Sequence, residues 1–231
     1  CNGCTRCFED CPFAAISMQP RDDGRPFERI AKVDPRYCTG CGMCVGSCPV
    51  STPFRRTGEL VTGIELPDLR LHALRAATDA ALKKAAEAAK PAGGAPAVLV
   101  VGCDHGCEID ELDGQGVATV KVPCVGMLPP SFIDYAFSRG GADGVMLHGC
   151  REGDCYHRLG IRWTQERLAG LRDPYLRERV SRERIRTCLL SHHEARRLPR
   201  EVAVFRAALD KLPPPEAADQ RDAATYDARP G

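Results

Sequence analysis

The chain opens on four cysteines with the spacing C-x2-C-x2-C-x3-C-P, at residues 1–12. The same spacing recurs at residues 38–49, and each cysteine of the second copy lies 37 positions after its counterpart. One such motif can arise by chance, but two in register are an internal repeat. Cysteines two residues apart on a tight loop wrap a metal cluster well and pair poorly with each other as a disulfide. The repeat therefore predicts eight thiolates at the spacing of iron–sulfur ligands.

The overall composition is that of an ordinary globular protein. Of 231 residues, 43% are hydrophobic and 27% are charged, which suits one large domain or two modest ones. The formal net charge of +1 indicates no nucleic-acid partner. No run approaches about 18 apolar residues, so we expect no direct membrane span in this chain. Fourteen cysteines without a secretory signal favour a reducing compartment and metal binding over disulfides.

The first residue of the chain, Cys1, is itself a predicted ligand and not a methionine. A ligand at a free terminus would be poorly held, so we expect a further segment before Cys1. We expect a cytoplasmic location, with any membrane association arising through that segment or through a partner.

Residues 1–56 are predicted to form a small α+β unit. Two short strands, at 14–18 and 29–33, lie between the cysteine loops on either side of a turn at Asp22-Asp23-Gly24. A unit of this size has little core, so metal ligation would supply much of its folding free energy.

This first unit resembles a bacterial-type ferredoxin domain with two 4Fe-4S clusters, which implies a ferredoxin-like fold. In that family, the fourth cysteine of each motif binds the cluster of the other motif. The resemblance therefore implies two interleaved ligand sets, one of Cys1, Cys4, Cys7 and Cys48 and one of Cys38, Cys41, Cys44 and Cys11. The alternative is a zinc site, but zinc modules usually have paired C-x2-C knuckles and not four cysteines followed by proline.

Residues 57–96 are predicted to form a helical connector and linker. A stripe of apolar and small residues over 68–90 indicates a helix packed weakly on one of its neighbours. The stretch Pro91-Ala92-Gly93-Gly94-Ala95-Pro96 breaks this helix and is typical of a linker.

Residues 97–212 are predicted to form an α/β domain with a parallel sheet of about four strands, because strands alternate with helices. The strands are predicted at 97–101, 117–122, 144–148 and 184–190. The helices are predicted at 130–139, at 156–171 with an interruption near residue 160, and at 200–212. The tail, 213–231, has no apolar pattern and is predicted to be disordered.

A second group of cysteines follows the predicted strands of this domain. Cys103, Cys124 and Cys150 each come two residues after a strand, and the carboxyl ends of parallel strands share the edge where ligands bind. Cys155 follows Cys150 in a glycine-bracketed loop. We therefore expect these four thiols to form a third metal site. Cys107 is an alternative ligand, because it lies roughly one helical turn from Cys103.

The remaining cysteines, histidines and arginines near this site have simpler structural explanations as well. Inert buried thiols are the alternative to a metal site, and Cys188, inside an apolar strand, is expected in the core. His105 and His157 are expected to supply hydrogen bonds near the cysteines or to lie on the surface, since enough cysteines are present for ligation. Ligation of the cluster by one of these histidines, or a role as its proton-coupled neighbour, is the alternative. A basic series is expected to be a solvated helix face, with partner docking as the alternative: Arg151, Arg158, Arg162, Arg167 and Arg172. No G-x-G-x-x-G fingerprint indicates a nicotinamide or flavin site.

Residues 97 to about 190 resemble the delta subunit of methyl-viologen-reducing hydrogenase. The supporting stretches are Val122-Pro123-Cys124-Val125-Gly126, Ala142-Asp143-Gly144-Val145, Gly149-Cys150 and Gly153-Asp154-Cys155-Tyr156-His157. The resemblance implies a 2Fe-2S cluster and electron transfer between a hydrogenase or formate dehydrogenase and a heterodisulfide-reductase-like partner. The chain departs from the family at Cys103-Asp104-His105-Gly106-Cys107, where C-x2-C is expected, and this leaves the role of Cys107 open.

Together, these patterns predict a non-catalytic electron-transfer subunit or domain of an oxidoreductase complex. Electrons would pass through two 4Fe-4S clusters and one 2Fe-2S cluster, with a hydrogenase, dehydrogenase or membrane quinone module as donor and a heterodisulfide-reductase-type partner. Two alternatives remain open. In the first, the protein is a thiol–disulfide redox enzyme whose catalytic thiol is Cys150, Cys155 or Cys107. In the second, the protein is an interaction module whose C-terminal cysteines bind a structural zinc ion.

Overall fold

The fold is that of a computed structural model, which describes residues 1–54, 63–89, 95–114 and 116–213. Most of the predicted linker, residues 91–94, and the predicted disordered tail from residue 214 lie outside the described residues.

The N-terminal unit is built around its two cysteine loops. Each loop contains a short helix, α1 (Arg6–Glu9) in the first and α2 (Met43–Ser47) in the second. Two antiparallel strands, β1 (Ile16–Pro20) and β2 (Arg29–Val33), join the loops. The predicted α+β unit is therefore confirmed. The strand β1 begins two residues later than predicted because Ala14 has a left-handed backbone with φ 51°, which a strand does not accept.

The second unit contains a four-stranded parallel sheet in the order β4-β3-β5-β6. Its strands are β3 (Val98–Cys103), β4 (Val117–Val122), β5 (Gly144–Gly149) and β6 (Ile185–Leu189). The two central strands, β3 and β5, are buried along their whole length, as continuous apolar runs in a parallel sheet require. The predicted α/β fold with a parallel sheet of four strands is confirmed.

Helices cover both faces of this sheet. The helices α3 (Leu71–Ala89) and α4 (Pro130–Ser138) form the larger core layer with one face. The helix α6 (Leu198–Leu209) covers the other face. Between α4 and α6, the chain forms the shorter helix α5 (Gly160–Leu168). The predicted stripe of the connector helix is buried: Leu71, Leu74, Thr78, Leu82, Ala85 and Ala89. Its packing is tighter than expected. Within the described ranges, no helix combines the length and the hydropathy of a membrane span.

The helix predicted at 156–171 is shorter in the structure. The helix α5 spans Gly160–Leu168, and the residues before it form a turn that follows Cys155. Helical backbone cannot start earlier because Arg158 has φ 69°, in the left-handed region. A second left-handed residue, Gly170 with φ 76°, follows the end of the helix.

Candidate metal centres

The eight cysteines of the repeat line two separate cavities. The first is lined by Cys1, Cys4, Cys7 and Cys48. The second is lined by Cys11, Cys38, Cys41 and Cys44. Each cavity thus takes three thiols from one loop and the fourth from the other, which is the interleaving that the ferredoxin resemblance implies. Ligation itself stays a prediction.

Burial and crowding oppose deprotonation of these thiols. Burial, and after it the nearby sulfurs of Cys48 and Cys4, raise the pKa of Cys7 to about 11. Burial likewise raises the pKa of Cys41 and Cys44. Grouped buried thiolates therefore require a compensating cation, and iron supplies that charge in a cluster. The donor set fits an iron–sulfur cluster in each cavity.

The third group of cysteines lies at the carboxyl edge of the parallel sheet. The strand β3 lies between β4 and β5, so the connections that follow β3 and β4 run in opposite directions across the sheet. Ligands bind at such topological switch points, outside the carboxyl ends of the strands. Cys103 is the last residue of β3, which runs two residues further than predicted. Cys124 follows β4 by two residues, and Cys150 directly follows β5.

The structure brings the four predicted thiols of this third site into contact. Cys103 forms side-chain hydrogen bonds with Cys124 and Cys150, and Cys124 also bonds Cys155. The bonds from Cys124 and then Cys150 lower the pKa of Cys103 to about 2. The bond to Cys103 raises the pKa of Cys124. The bond with Cys124 also lowers the pKa of Cys155, to about 6. A group of four sulfurs in which two favour the thiolate form fits a metal cluster.

The backbone completes this third group. The His105 N–H donates to Cys103 Sγ at 3.4 Å. Gly160, the first residue of α5, leaves the space for the sulfurs, because a Cβ there would lie 2.1 Å from Cys124 Sγ and 3.6 Å from Cys155 Sγ. The sequence argument did not identify Gly160 as part of the site.

Cys107 lies apart from the four thiols. It is buried in the core layer under α6, together with Cys188, whose expected core position is observed. The Cys107 thiol donates to the Ser191 carbonyl oxygen at 3.2 Å, and its backbone N–H donates to His148 Nε2 at 2.8 Å. The structure therefore does not bring the alternative ligand to the site.

None of the fourteen cysteines, all of which lie within the described ranges, forms a disulfide. Within residues 1–54, 63–89, 95–114 and 116–213, no group of three or more Cys, His, Asp or Glu side chains is arranged to hold a single metal ion.

Two histidine rings lie between the third group of cysteines and the N-terminal, ferredoxin-like unit. His105 stacks on Tyr156, with ring centroids 3.6 Å apart. His157 meets His105 edge to face at 5.1 Å and meets Phe13, which lines the second cavity, at 6.3 Å. His157 is buried, and its Nε2 has no hydrogen-bond partner among the described residues. The rings therefore form a packed connection between the second cavity and the third group.

The ferredoxin unit also contacts the second unit through backbone. The helix α2, which contains Cys44, packs on the turn Val125–Met127, which directly follows Cys124. A Cβ at Gly46 would lie 2.0 Å from the Gly126 carbonyl oxygen. The second cavity is thus the one that adjoins the third group.

A buried ion pair fixes this contact. Arg167 is 1% exposed, and its Nη2 donates to Asp10 Oδ2 at 2.6 Å and to Ser47 Oγ at 2.7 Å. The Nη1 of Arg172 donates to Asp10 Oδ1 at 2.6 Å. The expectation of a solvated arginine face is therefore wrong for Arg167, although Arg162 on the same helix is exposed. The sequence carries no signal for this pair, because 157 positions separate its members.

Comparison with known proteins identifies the same two units. Residues 1–52 match the family described as "4Fe-4S dicluster domain". Residues 110–213 match the family described as "Methyl-viologen-reducing hydrogenase, delta subunit". The second match begins after Cys103 and Cys107, so it includes three of the four thiols of the third group.

Similar proteins include components of several redox complexes. The iron–sulfur subunit of an F420-non-reducing hydrogenase from Archaeoglobus profundus is 34% identical over 128 residues, which cover 52% of this chain and 92% of that protein. The iron–sulfur subunit of the vhc F420-non-reducing hydrogenase from Methanococcus voltae is 34% identical over 92 residues, 36% of this chain and 63% of that protein. One subunit of the Na(+)-translocating ferredoxin:NAD(+) oxidoreductase complex from Acetobacterium woodii is 47% identical over 51 residues, 22% of this chain and 13% of that protein.

Proposed function

Because this chain belongs to the delta-subunit family of methyl-viologen-reducing hydrogenase and carries a 4Fe-4S dicluster domain, we propose that it is a three-cluster electron relay. Two 4Fe-4S clusters in the ferredoxin unit and one 2Fe-2S cluster in the α/β unit would each accept and donate single electrons. The proposed units are residues 1–56, the connector and linker at 57–96, the domain at 97–212 and the tail at 213–231.

The observation that carries this proposal is the convergence of four thiols at the sheet edge. Cys103, Cys124, Cys150 and Cys155 come from three different strand ends and one loop, yet they touch one another. The 2Fe-2S type follows from the family resemblance. The two cavities of the ferredoxin unit would hold the 4Fe-4S clusters through the interleaved cysteine sets.

The protein's own groups would set the properties of the third site. Four thiolates supply the negative charge that binds iron, and the His105 N–H at 3.4 Å from Cys103 Sγ withdraws charge from one of them. The Cys150 thiol donates to the His105 carbonyl oxygen at 3.5 Å, so the backbone of His105 contacts two of the four sulfurs. Hydrogen bonding and burial of this kind tune the reduction potential of a cluster.

The partners follow from the similar proteins. We propose that a hydrogenase, a dehydrogenase or a membrane quinone module supplies electrons and that a reductase of the heterodisulfide type receives them. One subunit of the ferredoxin:CoB-CoM heterodisulfide reductase from Methanosarcina mazei, 28% identical over 98 residues, covering 42% of this chain and 12% of that protein, supports a partner of this class. We propose a cytoplasmic location, with any membrane attachment through a partner or a further segment.

Iron analysis of protein purified without oxygen tests this proposal. Two four-iron clusters and one two-iron cluster give about ten irons per chain. The reduced protein is expected to show electron paramagnetic resonance (EPR) signals of both 4Fe-4S and 2Fe-2S clusters. A count near eight irons with one zinc would contradict the third cluster and favour a zinc-stapled module.

A thiol–disulfide enzyme is the second candidate. The feature in its favour is Cys155, a partly exposed thiol whose pKa the bond with Cys124 lowers to about 6, since the thiolate is the reactive form of cysteine. Against it, the other two thiols of this candidate, Cys150 and Cys107, are 7% and 3% exposed, which limits the access that exchange requires. About eight irons, no zinc and two titratable thiols in the purified protein would support this second candidate.

A further inference from the structure

We propose that Arg167 and Asp10 are positioning residues that hold the second 4Fe-4S site against the third site and thereby set the rate of electron transfer between them. The inference rests on the proposed function, because it requires a cluster on each side. It goes beyond that function by assigning the transfer step to residues that bind no cluster.

One guanidinium contacts chain segments next to both sites. On the ferredoxin side, Arg167 Nη2 bonds Asp10 and Ser47. Asp10 directly precedes Cys11, and Ser47 ends the helix that contains Cys44. On the other side, Arg167 Nη1 donates to the Gly126 carbonyl oxygen at 3.1 Å, two residues after Cys124. A shift of either unit would stretch these bonds together.

The ion pair is suited to fixing geometry more than to adding stability. Asp10 is 4% and Arg167 is 1% exposed, and replacing a buried ion pair by apolar residues is often neutral for stability. The guanidinium, however, presents its donors in a rigid planar fork. Ser47 Oγ also donates to Asp10 Oδ2, at 2.6 Å, so the carboxylate is held from both units.

The surrounding contacts restrict movement of the two units relative to each other. The Trp163 indole N–H donates to the Asp10 carbonyl oxygen at 3.2 Å, and the Arg172 guanidinium lies 3.5 Å from the Trp163 ring centroid. Gly46 admits no side chain against Gly126. Arg172 also pairs with Asp10, so removing Arg167 does not leave this carboxylate without a cation. An Arg167 variant is therefore expected to fold.

The test uses the full, iron-loaded chain with Arg167→Met and Arg167→Lys. Arg200→Met is the matched control, because it removes the same charge from an exposed position of α6, on the other face of the sheet. Iron content, the EPR interaction between the reduced second and third clusters, and the rate at which electrons reach the third cluster after rapid reduction are measured for each variant.

We expect Arg167→Met to keep about ten irons and to lose the EPR interaction. Its transfer rate should fall severalfold, because electron tunnelling weakens exponentially as the distance between two clusters grows. Arg167→Lys should recover part of the rate, and the control should match the unaltered chain.

An unchanged interaction and rate in Arg167→Met with full iron content would overturn the inference. If Arg167→Met does not fold, Asp10→Asn takes its place with the same expectation, since it keeps the shape of the side chain. Loss of iron from both variants would show that the Arg167–Asp10 pair is needed for the clusters to bind at all, and this result would also overturn the inference. If the unaltered chain lacks a third cluster signal, the proposed function fails first, and that result is visible before any variant is made.

Discussion

At the scale of single residues, Cys103 is the centre of the third site. It ends the strand that lies between β4 and β5, and its sulfur contacts two other thiols and one backbone N–H. Cys107, four residues later, points its thiol at a backbone carbonyl in another core layer. The two cysteines therefore provide a matched pair for testing the ligand assignment.

We expect Cys103→Ser to lower the iron content from about ten to about eight per chain and to remove the 2Fe-2S signal. Cys107→Ser should keep both, because the Cys107 thiol lies outside the group. Iron analysis and EPR spectra of the two variants check this. Equal loss in both variants would show that Cys107 is a ligand.

Gly160→Ala is expected to damage the same site without removing a thiol. The added Cβ would lie 2.1 Å from Cys124 Sγ, a distance that forces the sulfur or the start of α5 to move. We expect the third cluster to be lost, with about two irons fewer per chain, while the 4Fe-4S signals remain. A variant with full iron content and an unchanged 2Fe-2S spectrum would contradict the assigned place of Cys124.

At the scale of elements, α3 determines how well the second unit is packed. It lies in the predicted connector, yet its buried side chains pack with those of the sheet and of α4 in the larger core layer. Leu82 is 2% exposed, whereas the next residue, Lys83, is exposed. The helix is thus a structural layer of the α/β unit as well as a connection to it.

Leu82→Ala is expected to lower the free energy of unfolding of the second unit by about 2–5 kcal/mol, because it leaves a cavity in a closely packed core. Lys83→Ala on the same helix should change it by less than about 0.5 kcal/mol. Urea unfolding followed by circular dichroism measures both. A loss below about 1 kcal/mol for Leu82→Ala would show that α3 packs only weakly.

At the scale of the whole molecule, the docking of the ferredoxin unit on the second unit orders the three sites. The second cavity adjoins the third group through Phe13, His157 and His105 and through α2 against the turn after Cys124. The single tryptophan of the chain, Trp163, lies in this interface and bonds the Asp10 backbone. Its fluorescence therefore reports whether the units are docked.

Removal of iron by a chelator is expected to unfold the ferredoxin unit, because a unit with so small a core depends on its metal. Trp163 should then become exposed to water, and its emission should shift to longer wavelength. Far-ultraviolet circular dichroism should keep the signal of the parallel sheet. Arg200→Met, at an exposed position of α6 on the other face of the sheet, should show the same shift as the unaltered chain. An unshifted emission after complete iron loss would mean that docking does not need the clusters.

The sequence by itself determined the fold class of the two units and predicted their chemistry. Two registered cysteine motifs predict iron–sulfur ligands by spacing alone, and apolar runs separated by helices predict a parallel sheet. That sheet placed Cys103, Cys124 and Cys150 at one edge, because parallel strands end on the same side. These features are local or follow from topology, so periodicity and spacing are sufficient to find them.

Only the tertiary structure decided which residues meet across the chain. It separated Cys107 from the other thiols, shortened α5 through the left-handed backbone at Arg158, and placed Gly160 against Cys124. It also buried Arg167 against Asp10 at the contact of the two units. Such pairings depend on how two folded units dock, and an exposed arginine and a buried one have the same pattern in a sequence.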